Sequence, residues 1–474
     1  MTADTVGGVL TYAVELAGAL GPLGVEVTLA TAGGAVPAAE RAQIEAMPHV
    51  ALWESDYQLE WMDNPWGDVA AAGDWLLRLR DAVRPDVVHL NDYAHGALDW
   101  GVPVVVAGHS CVLSWWEAVH GEPAPPAWGR YADAVRAGLG GADAVLAPTA
   151  AMLDALVRHY GPLPPSAVVP NGRDARRFPP AEKEPAVLAA GRLWDEAKGL
   201  DRLAEAAPAL PWPVRVAGST AHPDGGLRPA PPGVEALGRL APDALAAEMG
   251  RAAVYALPAR YEPFGLSALE AALAGCALVL GDVPSLREVW GGAALYASDA
   301  AALADAVGAL ASDADARAQW AGRARARALT FTPERTAEGT LAVYRRAQAS
   351  FGAGGAGSER LFGISPSPTG GGPGWGTDVG SGRGARPVTP LPASPRWGEE
   401  NAVQPQTDSE KRTPSHPART LATASPLPPG EGQPTGRRSQ GEGAASEWGG
   451  AAASAAPPVG TALPTRQPPL APPG

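Results

Sequence analysis

With 474 residues and 46% hydrophobic content the chain can build two or three domains, yet 50 prolines and 58 glycines are too many for one compact body. The net charge of −13 is concentrated before Gly352, where 27 Lys/Arg face 41 Asp/Glu, which argues against non-specific nucleic-acid binding. Only Cys111 and Cys276 are present, so a disulfide framework or cysteine metal site is excluded and a reducing, cytoplasmic setting fits.

Residues 1–4 carry no signal-peptide pattern, and they are too short for the strand that normally precedes a glycine-rich turn. The expectation is therefore a clipped start with the first strand missing. Thr5-Val6-Gly7-Gly8-Val9 reads as that turn, opening a helix over residues 9–20, followed by a strand over 25–30. The turn is either an ordinary tight one or a place where bare backbone lets a ligand approach. A helix is expected over 74–83. Strands at 85–90 and 103–107 end in His89, Asn91 and Asp92 and in Gly108-His109-Ser110. Polar groups at the C-terminal ends of parallel strands line the crevice of open α/β sheets, which makes His109 the leading contact candidate here, with His89 and Asp92 behind it. Trp61, Trp66, Trp115 and Trp116 are either packed or form a sugar-stacking or membrane-facing surface. Helices over 130–139 and 149–160, the second capped by Thr149, flank a strand at 144–147, and the crossing to a second half is placed at 167–172.

That half opens with a strand over 185–190 running into Gly191-Arg192-Leu193-Trp194-Asp195-Glu196-Ala197-Lys198-Gly199. Arg192 can fork onto two phosphate oxygens and Lys198 adds a point charge; the competing use of both is a salt bridge to Asp195 or Glu196. Strands at 214–217 and 234–237 and a helix over 242–251 continue the alternation. A buried strand at 253–257 is closed by Pro258, and Glu262-Pro263 must be extended because a residue before proline avoids helix. Ala-, Leu- and Glu-rich sequence then forms a helix from Gly265 to a stop at Gly275, followed by a strand at 277–280. Glu262 and the amides of Phe264, Gly265 and Leu266 so stand at a helix N-terminus, with Glu270 about 12 Å further along. The two carboxylates either grip two parts of one long ligand or are solvated surface acids. The nearly uncharged run 264–281, interrupted by Glu270, reads as buried helix and strand and not as a membrane span. Helices at 300–311, 315–328 and 336–348 complete the folded part. From Gly352 about a third of residues are Gly or Pro and few are large and apolar, so a disordered tail is expected.

The series Glu262-Pro263-Phe264-Gly265-Leu266-x-x-Leu269-Glu270 resembles the paired-glutamate motif of retaining nucleotide-sugar glycosyltransferases of family 4. Gly7-Gly8 and Arg192 with Lys198 match two more of that family's motifs in the same order. The resemblance implies the GT-B fold, two Rossmann-like doubly wound domains facing across a cleft. Its parts would be an acceptor-side domain at 1–165, a nucleotide-sugar domain at 166–330, a helix returning to the first domain at 331–351, and the tail at 352–474. It also implies roles. Arg192, Lys198 and the helix N-terminus at Phe264–Leu266 would neutralise the leaving diphosphate, and Glu262 would bind donor-sugar hydroxyls. Glu270 would hold the ribose, Gly7-Gly8 would admit the sugar-phosphate, His109 would touch sugar or acceptor, and Gly238-Arg239-Leu240 would lie near the base. The donor would be a nucleoside diphosphate sugar, with no other cofactor and no metal. The acceptor would be a glycan, lipid or small molecule reached at the inner membrane face or in the cytoplasm. The alternatives are a same-fold nucleotide-sugar epimerase or sugar-phosphate phosphorylase, which would turn over without an added acceptor alcohol, and a non-catalytic sugar-nucleotide sensor, which would bind donor without transfer or hydrolysis. A dinucleotide-dependent dehydrogenase is disfavoured, since no Gly-x-Gly-x-x-Gly follows a first strand.

Overall fold

The computed structural model describes residues 1–354 apart from Thr220, 223–225 and 228–229; of the tail expected over 352–474, residues 352–354 end the last helix and the rest lies outside the described residues. Strand and helix alternate along the chain in two successive parallel-sheet halves.

In the first half β1 (Thr2–Asp4), β2 (Val27–Ala32) and β3 (Val50–Glu54) pair in that order, all parallel. A second run, β4 (Val88–Leu90), β5 (Val104–Ala107), β6 (Ala144–Ala147) and β7 (Ser166–Val168), is also parallel and in sequence order. Side chains join the two runs: Asn91 Nδ2 donates to the Thr2 carbonyl at 2.6 Å and the Thr2 hydroxyl donates to Asp92 Oδ2 at 2.8 Å. β5 and β6 read Val-Val-Val-Ala and Ala-Val-Leu-Ala and are buried throughout, as strands covered on both faces by helices must be.

In the second half β8 (Glu184–Ala190), β9 (Val214–Ala217), β12 (Glu235–Gly238), β13 (Ala252–Leu257), β14 (Ala277–Gly281) and β15 (Leu295–Ala297) form one parallel sheet of order β12-β9-β8-β13-β14-β15. A short antiparallel pair, β10 (Ala221–His222) and β11 (Gly226–Leu227), lies between β9 and β12 in the chain. The order reverses between β8 and β13, so the crevice beyond their C-terminal ends is where an open α/β sheet binds ligands. The Arg192 and Glu262 loops leave from those two ends.

Three expectations need correction. The first strand is present, because three residues of Met1–Asp4 suffice to pair with β2 in the register Thr2↔Ala30. Ser166–Val168 pairs with β6, so the first half continues past the expected boundary at residue 165. The last helix runs Pro333–Gly354, beyond both ends of the expected 336–348 and into the expected tail, and it supplies Ala337, Val343, Tyr344 and Ala347 to the core of the first half. The chain therefore crosses between halves twice, and the two crossings touch. Arg173 N–H donates to the Phe331 carbonyl (3.1 Å) and the Thr336 hydroxyl to the Pro170 carbonyl (2.9 Å). A Cβ on Gly172 would lie 2.2 Å from the Thr332 carbonyl, so only glycine fits there.

Candidate active site

The loop after β8 is built around Asp195, which is buried. Its carboxylate accepts from Arg192 Nη2 (2.7 Å), from the Trp115 indole N–H (3.0 Å) and from the Ala197 amide (3.0 Å). Burial alone would raise the pKa of Asp195, but Lys198, Arg192 and these donors together hold it below the ordinary aspartate value. Arg192 also stacks on Trp194 at 5.0 Å while keeping part of its guanidinium exposed. Gly199 closes the turn at φ 68°, and a Cβ there would sit 2.1 Å from the Pro258 carbonyl. That close approach brings the β8 and β13 loops together, and Lys198 Nζ reaches Glu262 Oε2 at 2.6 Å.

Glu262 turns its other oxygen onto the Gly265 amide at 3.0 Å, and its carbonyl accepts from Ser285. The Gly265 amide is thus engaged within the loop and is not one of the open donors expected of that helix end. Phe264 is buried with its ring edge-on to Phe331 at 5.7 Å, which makes it a packing residue that fixes the loop. Leu266 Cδ1 lies 3.1 Å from a Cβ built on Gly8, and Arg192 Nη1 lies 3.4 Å from one built on Gly7. The glycine turn therefore fits between Arg192 and the start of the helix Leu266–Leu273. Three motifs spread over more than 250 residues of sequence meet at one place.

Glu270 is not a solvated acid. Its carboxylate pairs with Arg173 Nε at 2.8 Å, and Arg173 Nη1 pairs with Glu15 Oε1 at 2.5 Å, all three being largely buried. Arg177 reaches the same Glu15 oxygen at 3.3 Å. Burial pushes the Glu270 pKa up, and Arg173 only partly offsets it. Thr11, Gln43, Arg173, Arg177, Arg239 and Glu270 line a cavity of about 780 Å³, a size ordinary for small-molecule sites. Glu15 and Arg173 were missed in the sequence. The available signal was one acid on an otherwise apolar helix, Gly8–Leu20, and one cation beside the crossing.

From the first half, His109 Nε2 lies 2.7 Å from Asn91 Oδ1, and the ring meets Tyr12 edge-on at 4.5 Å. Burial lowers its pKa to about 4. The segment after His109 docks on the second half: the Tyr261 hydroxyl takes the Cys111 amide at 3.2 Å and bonds Ser114 Oγ at 2.8 Å. His89 is buried beneath, its Nδ1 2.7 Å from the Tyr344 hydroxyl. Asp92 is held by Thr2 and by His95 Nδ1 at 2.7 Å; burial raises it, and the His95 charge and these bonds more than reverse that. Glu60 is buried, accepts from the Ala94 amide at 2.7 Å, and is pushed up to about 7 by burial and then by Asp92. Asp4, also raised to about 7 by burial, faces Arg192. Trp61 and Trp66 pack against the first-half core and Trp115 is tied to Asp195, so these are not a free aromatic surface. Among the described residues no group of three or more His, Cys, Asp or Glu could hold a metal ion, and no helix is long and apolar enough to cross a membrane.

Comparison with known proteins bears directly on this geometry. Residues 6–177 match the family described as Glycosyltransferase Family 4, and residues 184–313 the family described as glycosyl transferases group 1. The chain is 32% identical over 400 residues to a D-inositol 3-phosphate glycosyltransferase of Kineococcus radiotolerans, covering 72% of this chain and 91% of that protein. The chain belongs to the GT-B glycosyltransferases. This glycosyltransferase is also 32% identical over 302 residues to a glycogen synthase of Mycobacterium tuberculosis, covering 56% of this chain and 70% of that one. Among solved structures, sucrose-phosphate synthase from Thermosynechococcus elongatus superposes with a TM-score of 0.62 at 19% identity, covering 74% of this chain and 99% of that chain. Anabaena Alr3699/HepE in complex with UDP-glucose gives 0.58 at 17%, covering 73% and 99%. At such identities these structural likenesses speak for the fold of the glycosyltransferase.

Proposed function

We propose that this glycosyltransferase belongs to family 4 and transfers a sugar with retention from a nucleoside diphosphate sugar to an acceptor hydroxyl, without a metal ion. The observation that carries the reading is the meeting of Arg192, Lys198 and Glu262 beside Gly7-Gly8 at the switch point of the second sheet. Breaking the bond between sugar C1 and the phosphate oxygen leaves its electron pair on the diphosphate. Arg192 and Lys198 stabilise that charge more in the transition state than in bound donor. The acceptor oxygen then bonds C1 from the face the phosphate leaves, and its proton passes to the departing phosphate, so the anomeric configuration is kept. Glu262 takes donor-sugar hydroxyls, His109 touches sugar or acceptor, and Glu270 takes the ribose hydroxyls in the adjoining cavity.

The acceptor is a glycan, a lipid or a small molecule; the UDP-glucose bound to the Anabaena structure makes that donor the first to try. Thermal shift against UDP-, GDP- and ADP-sugars identifies the donor, because binding to the folded state raises its stability. Proton NMR of the product made in excess EDTA then tests the rest. A product of inverted anomeric configuration, or activity lost to chelator and restored by Mg²⁺, overturns the corresponding part of the proposal.

A further inference from the structure

Hydrogen bonds around Asn91 specify where the protons sit on the two histidines of the first half. The Asn91 side-chain nitrogen donates to the Thr2 carbonyl at 2.6 Å, and a carbonyl can only accept. The amide is therefore oriented with Oδ1 toward the imidazoles, 2.7 Å from His109 Nε2 and 3.2 Å from His89 Nε2. An amide oxygen has two lone pairs and no proton, so both Nε2 atoms must be the donors. His89 is left with a bare Nδ1, which the Tyr344 hydroxyl supplies at 2.7 Å. His109 is left with a bare Nδ1 that makes no hydrogen bond to a described residue. The partner of one ring nitrogen decides the state of the other, so the arrangement is complete at every atom except that one.

We propose that Asn91, His89 and Tyr344 are positioning residues that lock His109 as its Nε2–H tautomer, so that Nδ1 accepts a hydrogen bond from a hydroxyl of the sugar substrate. The sugar in this statement rests on the reading given above; the tautomer rests on the hydrogen bonds alone. Tyr12, edge-on to the His109 ring, keeps the imidazole from turning over. An imidazolium would present an N–H at Nδ1 and could no longer accept. The titratable groups that face the pair are the Met1 amino group, Tyr12 and Tyr344, and burial keeps both imidazoles neutral, His89 at about 3 and His109 at about 4.

Two measurements on the full chain test this. Nitrogen-15 spectra of histidine-labelled protein, assigned with His109→Gln, should show Nε2 protonated and Nδ1 bare at pH 7. A protonated Nδ1 overturns the proposal whatever the enzyme's substrate proves to be. Conversely, a bare Nδ1 in a protein that binds no sugar nucleotide would leave the tautomer standing and sink the functional reading. Asn91→Asp sets a carboxylate between the imidazoles, and an opposite charge this close raises a pKa by about 1–3 units. With His109 so raised from about 4 to about 6, the variant's kcat/KM should fall about fourfold from pH 8 to pH 5.5, while the wild type changes by less than about 10%. An Asn91→Asp enzyme that is folded, active and keeps the wild-type pH profile overturns the proposal. Should Asn91→Asp fail to fold, Tyr344→Phe takes its place. It should shift the His89 nitrogen-15 signals and lower kcat/KM, and unchanged signals with unchanged kcat/KM count against the relay.

Discussion

Replacing Lys198 with alanine removes a cation that the fold holds 2.6 Å from Glu262 in a site where both side chains are mostly buried. A unit charge about 4 Å from a phosphate oxygen, at an effective dielectric of about 20, interacts by roughly 4 kcal/mol. Part of that is already present in bound donor, so the kinetic loss is the increment that develops as the bond breaks. Removing one preorganised donor from an oxyanion site costs about 2.7–4 kcal/mol, or about 10²- to 10³-fold in kcat. A second effect follows from the pairing. In Lys198→Ala, Glu262 stays anchored by the Gly265 amide but loses its counter-ion, leaving an uncompensated carboxylate near the phosphates. Adding Glu262→Gln to Lys198→Ala should therefore cost less than the product of the two single losses, a coupling a double-mutant cycle reads directly. The assay is steady-state kcat and KM for donor, with calorimetric binding of the nucleoside diphosphate alongside. A folded Lys198→Ala enzyme within about threefold of wild-type kcat would refute the reasoning. Equal losses in kcat/KM and in diphosphate affinity would instead show uniform binding without transition-state preference.

Arg192→Lys should stay well below wild-type turnover, because an ammonium cannot contact Asp195 and stack on Trp194 while offering a fork to phosphate; wild-type kcat in this variant would count against a bidentate role. Gly172→Ala should lower Tm by several degrees, since its Cβ meets the Thr332 carbonyl at 2.2 Å and overpacking costs about 1–3 kcal/mol; an unchanged Tm would mean the two crossings can part freely. Glu60 has its pKa raised from 4.5 to about 7 by burial, so its share of stability is full below pH 4.5 and is lost as pH rises through 7. Denaturation of Glu60→Gln between pH 5 and 8 should accordingly show a shallower fall than wild type, and an identical slope would remove Glu60 from the account.

The alternation of strand and helix was readable because the buried parallel strands are short apolar runs, Val104–Ala107 and Ala277–Gly281 among them, bounded by glycine or polar residues. The second-half loops were readable because Arg192 with Lys198, and Glu262 with Glu270, lie within one local segment each. Long-range pairings were not. Nothing in local spacing says that Glu270 will meet Arg173, or that Arg173 will bridge to Glu15 some 158 positions away. For Arg192 the competing salt bridge to Asp195 forms, yet the guanidinium stays partly exposed, so structural and ligand-facing uses share one side chain. β1 escaped notice because three residues are too few for any periodicity to register. Trp115 could be placed on a surface or in a core by composition, and only the fold reveals its indole bond to Asp195.

The return of the helix Pro333–Gly354 to the first half has a consequence for the order in which the protein can fold. During synthesis the first sheet leaves the ribosome long before Ala337, Val343, Tyr344 and Ala347, yet those residues complete its core. Until they arrive, the apolar side chains of the helix Gly8–Leu20 that face them stay uncovered, and His89 lacks the Tyr344 hydroxyl. The second half has no such debt, since its sheet and flanking helices are contiguous between residues 184 and 328. The reverse of the usual N-terminal-first order is therefore expected, the later half settling first and the earlier one closing last, through contacts that span more than 300 positions, such as those of the helix Gly8–Leu20 with the helix Pro333–Gly354.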